Sequence, residues 1–87
     1  MTYRYLPEIF ADLVTHGVIP KPTTAPGFVR AFLNEIYRYE LRLLRDRLLR
    51  REFPKDAYFE KVVEVRNRYR VMAMPLGEWT QPEATTN

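Results

Sequence analysis

IYRYELRLLRDRLLRREF, residues 36–53, sets six arginines among five leucines and contains neither proline nor glycine. Tyr37, Leu41, Leu44 and Leu48 follow one another at spacings of four, three and four, the seam of a packed helix. Upstream, Phe28, Val29, Phe32, Ile36, Tyr39 and Leu43 form a second apolar flank on the side away from much of that seam. The spacing therefore predicts one long central helix, from a cap near Thr24 through Ala25 and Pro26 to about Arg51, ended by Phe53-Pro54. At 1.5 Å per residue it would run roughly 40 Å.

The arginines of this helix divide into two groups. At about 100° per residue, Arg38, Arg42 and Arg45 fall on one stripe, whereas Arg47, Arg50 and Arg51 point nearly the opposite way. A helix that tracks nucleic-acid phosphates gathers its cations on one side. The first stripe is also accompanied by Glu35 and Asp46 at ion-pairing distance along the helix. Residues 28–53 hold seven arginines against four acids, an excess equal to the net charge of +3 for the whole chain. The basic bias thus resides in this one helix.

On either side the pattern stays helical. Leu6 to His16 carries Leu6, Ile9, Phe10, Leu13 and Val14 at three-and-four spacing, with Pro7 suited to a first turn and Gly17 to a left-handed stop. VIPKPTTAPG, residues 18–27, has three prolines and reads as an extended connector. After EFPKD, Asp56 can cap a third helix through Ala73, where Pro75 ends it. Its seam, Tyr58, Val62, Val65, Tyr69 and Met72, matches that of the central helix. The two read as an antiparallel helical hairpin.

The expected fold is therefore all-α: a short N-terminal helix, then the hairpin, pairing with a second copy into a helical bundle. For residues 63–71 the alternative is a strand, and hence an α+β fold, because VEVRNRYRV also alternates. The domain is placed at residues 1–74. Residues 75–87 are expected to form a mobile tail apart from Trp79.

Composition excludes much chemistry. The 87 residues contain no cysteine and no serine, which removes disulfides, thiolate metal sites and both nucleophiles. His16 stands alone, its expected role that of capping a helix end. Asp12 and His16 are one turn apart, but two ligands without a third make a weak metal site. Glu60 and Glu64 form a one-turn acidic pair better explained by pairing with neighbouring cations. No enzyme, cofactor or metal is expected. No signal-peptide-like run and no stretch of eighteen apolar residues occurs, so a cytoplasmic protein without a membrane span is expected.

The central helix carries apolar residues over more than half its circumference, beyond what one neighbouring helix hides. The expected function is accordingly a non-catalytic protein-interaction module that pairs with itself and serves as an accessory subunit. Its expected surface comprises Phe32, Ile36, Tyr39, Glu40, Leu43 and Arg47, with Glu40 of one chain meeting Arg47 of the other. The alternative is a nucleic-acid binder, or a binder of an acidic partner, using Arg38, Arg42 and Arg45 with Arg66 and Arg70. A third class, an apolar ligand held between aromatic-rich helices, is also compatible with the sequence.

Overall fold

The structure, a computed structural model, describes residues 2–81. It is all-α, with helices α1 (Pro7–Thr15), α2 (Pro26–Leu49) and α3 (Tyr58–Arg68) and short 3-10 turns at Lys55–Ala57, Arg70–Ala73 and Leu76–Glu78. Residues 63–68 are helical, so the strand alternative is not what forms. Among the described residues no helix is long and apolar enough to cross a membrane.

Helices α1 and α2 end with the same device. At the end of α1 the Gly17 N–H donates to the Val14 carbonyl and the Val18 N–H to that of Leu13, with Gly17 at φ 77°. At the end of α2 the Arg51 N–H donates to Leu48 and the Glu52 N–H to Arg47. These are two Schellman stops, which pair the last carbonyls of each helix. The second places Arg51 at φ 60°, a left-handed conformation that a Cβ disfavours.

α2 begins two residues later than Thr24, because that threonine is used elsewhere. Its Oγ1 accepts the Lys21 N–H at 3.0 Å, and its carbonyl accepts the Tyr5 hydroxyl at 2.6 Å. Thr24 thus fastens the connector to the N-terminal segment, and Ala25 stands at the helix cap without a side-chain bond.

α3 also differs from the expected helix over 56–73. Asp56 makes no capping bond and sits in a 3-10 turn, and regular helix stops at Arg68. Tyr69 and Val71 are both buried. Two residues apart, they would point about 200° from each other on an α-helix. The non-helical Tyr69 backbone, φ −110° and ψ 33°, brings both into the core before the chain rewinds as a 3-10 turn.

The core is Ile9, Leu13, Val29, Leu33, Leu44, Val65, Tyr69, Val71 and Trp79, with Tyr37, Leu41, Tyr58, Val62 and Met72 packed against it. α2 and α3 run antiparallel: Tyr69 at the end of α3 meets Tyr37 in mid-α2, at 5.2 Å between ring centroids. Near the turn, Phe53 is overlaid by Arg47 from α2 at 5.4 Å and by Lys61 from α3 at 5.0 Å.

Residues 75–81, expected in the mobile tail apart from Trp79, are ordered against the N-terminal segment, with Trp79 in the core. Trp79 is fully buried and donates its indole N–H to the Met74 carbonyl at 3.3 Å. The Leu6 N–H donates to the Trp79 carbonyl, the Gln81 N–H to that of Arg4, and Tyr5 and Thr80 form a single antiparallel bridge. The rest of the expected tail, residues 82–87, lies outside the described residues. The described residues form a rod, 60 Å long and 17 by 16 Å across. At that thickness it is about two helices deep, so a helix covered on one side meets solvent on the other.

Candidate functional site: the outer face of α2

Leu44, with Tyr37 and Leu41 beside it, turns toward α3, and Val29 and Leu33 are buried in the core. The opposite sector holds Phe28, Phe32, Tyr39 and Leu43, which are 72%, 51%, 54% and 43% exposed. At about 100° per residue these four lie within roughly 60° of arc. Ile36, on the edge of the sector, is half-buried. The stripe continues at one end into a shallow groove where Ile19 and Pro20 of the connector adjoin Phe28 and Phe32. Ile19 is also exposed. Single exposed apolar residues are ordinary, and it is the alignment of these four on one side of a single helix that makes the row the candidate surface.

Of the residues expected on the self-association surface, Phe32, Tyr39 and Leu43 lie together on this stripe, with Ile36 beside them. Glu40 and Arg47 are placed differently. Glu40 accepts a hydrogen bond from Arg68 of α3 at 3.2 Å, and Arg47 donates to Glu52 at 3.1 Å. Each already has an opposite charge within its own chain, so neither needs a partner chain to compensate it. Glu52 also takes Arg50 at 2.8 Å, and these two guanidinium groups, Arg50 foremost, hold its carboxyl below the usual range. Phe28 belongs to the apolar flank expected from the sequence but not to the expected contact surface. It is the most exposed of the four, although it adjoins Ile19 and Pro20 of the connector.

The cations do not converge either. Arg38, Arg42 and Arg45 are exposed on α2, and Arg38 makes a loose contact with Glu35 at 4.0 Å. Arg70 lies instead in a polar cleft with Asp12, His16, Glu40 and Tyr69. Glu40 is some 160° around α2 from Arg38, so the cleft and the arginine stripe face opposite ways. Arg66 is exposed on α3.

That cleft is the second chemically notable feature. The His16 ring stacks on Tyr69 at 4.4 Å between centroids, and its Nε2 stands 3.9 Å from Asp12 Oδ2. Both of these atoms are buried without a hydrogen-bond partner among the described residues. Burial, then the charge of neighbouring Glu40 and the hydrogen bond to it, push the Tyr69 phenol up to about 12. His16 therefore packs on a ring rather than serving simply as a helix cap. The Asp12–His16 spacing was visible in the sequence, whereas their distant neighbour Tyr69 was not. No group of three His, Cys, Asp or Glu residues among those described is placed to hold a metal.

Comparison with protein-family models, with curated proteins and with solved structures found no match to this chain.

Proposed function

We propose that this chain is a cytoplasmic, non-catalytic protein-interaction module that pairs with itself through the outer face of α2 and serves as an accessory subunit. The observation that carries this reading is the row Phe28, Phe32, Tyr39 and Leu43, exposed along the helix side opposite α3. Burying a large apolar side chain is worth roughly 1.5–3 kcal/mol, and a small domain has only about 5–15 kcal/mol in total. Covering four such residues, twice over in a symmetric pair, is a large driving force even after the entropy of association is subtracted.

The separation of Arg38, Arg42 and Arg45 from Arg70 weighs against phosphate tracking. A thermal melt at several protein concentrations tests the reading. Pairing makes the melting temperature rise with concentration, and Phe32→Glu removes that dependence. A wild-type melt independent of concentration, together with salt-sensitive binding of an oligonucleotide, would favour a nucleic-acid binder instead.

A further inference from the structure

Resting on the self-association just proposed, we infer that the second copy lies antiparallel on α2, about a two-fold axis between Ile36 and Tyr37, with Glu35 of each chain paired to the partner's Arg38. The first support is spacing. The exposed residues follow at steps of four, seven and four. A two-fold between Ile36 and Tyr37 brings the partner's Leu43, Tyr39, Phe32 and Phe28 to the levels of Arg30, Asn34, Leu41 and Arg45. The two sets then alternate about every 3 Å along the axis. Each side chain enters the gap left by its counterparts, and the seven-residue gap at the centre receives Ile36 from both chains. Moving the axis back by one residue sets Phe28 level with the partner's Leu43, and Phe32 level with the partner's Tyr39, so that bulk meets bulk.

The second support is charge. Glu35 and Arg38 lie on the same side of the stripe, about 50° and 110° from its centre, away from the buried Val29 and Leu33. In an antiparallel two-fold pair, like flanks face each other, as the equivalent edge positions do in antiparallel coiled coils. The axis chosen by the apolar spacing also sets Glu35 level with the partner's Arg38, twice by symmetry. Within one chain these two groups touch only at 4.0 Å and stay largely exposed, so both are available. A parallel pair would instead put this flank against the side carrying Glu40 and Arg47, whose charges are already matched at 3.2 Å and 3.1 Å. It would also stack Phe28 on Phe28 and Phe32 on Phe32.

Charge exchange at these two surface positions is the test, read by sedimentation equilibrium of the full chain with circular dichroism confirming folding. Glu35→Arg and Arg38→Glu each set like charges together in their own homodimer. Each alone is expected to weaken self-association by about tenfold. Mixed, the two variants restore it as a heterodimer, and the double variant E35R/R38E restores it in one chain. If the wild type pairs but neither single variant weakens and mixing adds nothing, the register is overturned while self-association stands. A wild type that stays single overturns the underlying reading as well.

Discussion

The imidazole of His16 lies nearly flat on the phenol of Tyr69, joining the end of α1 to the end of α3 at 4.4 Å between ring centroids. This contact sits where the chain abandons α-helix for a 3-10 turn, and Tyr69, with Tyr37 also against it, is almost completely buried. The elongated hairpin is thereby tied to the N-terminal helix at one level along its length.

A pH dependence follows from that burial. The Tyr69 hydroxyl titrates near 12, against an ordinary value of 10, chiefly because burial disfavours the phenolate and secondarily because Glu40 is close. The folded chain keeps a proton that the unfolded chain loses, so this contribution is complete below pH 10 and disappears as pH rises from 10 to 12. Tyr5, raised in the same direction mainly by its own burial, adds to the slope. The melting temperature should fall more steeply over that interval in the wild type than in Tyr69→Phe. Parallel profiles would show that Tyr69 is not protected.

The two Schellman stops give opposite expectations. Arg51 holds φ 60° without being glycine, and Arg51→Gly should stabilise the chain by about 1 kcal/mol. Gly17 holds φ 77°, and Gly17→Ala should destabilise it by a similar amount. Urea titration of the two variants measures both signs.

Trp79 is fully buried, and its carbonyl accepts the Leu6 N–H, so Trp79→Ala should cost about 3–5 kcal/mol. Ending the chain at residue 74 should be at least as damaging, since it also removes the backbone bonds to Leu6 and Arg4. Chemical denaturation distinguishes this from a dispensable tail, whose removal would leave the midpoint unchanged.

Much of the architecture was legible from local rules. Heptad spacing at Tyr37, Leu41, Leu44 and Leu48, answered by Tyr58, Val62, Val65 and Tyr69, is enough to specify the hairpin, and Gly17 marks the end of α1. What was not legible depends on residues far apart in the chain. Trp79 stands out from the tail in the sequence, but its place beside the backbone of Leu6 does not, and the Arg68 partner of Glu40 comes from the other arm of the hairpin. Arg47 and Glu52 are five apart, outside ordinary helical pairing, and meet only because the chain reverses at Arg51. Even the alternation at 63–71 carried a true signal: Tyr69 and Val71 do share the core, though in a broken helix rather than a strand.

Pairing through the outer face of α2 is tested most directly by the mass of the full chain in light scattering across a wide concentration range. Pairing predicts a rise from 10.4 kDa toward twice that value, abolished by Phe32→Glu with helicity retained. A mass fixed at 10.4 kDa at every concentration would contradict it.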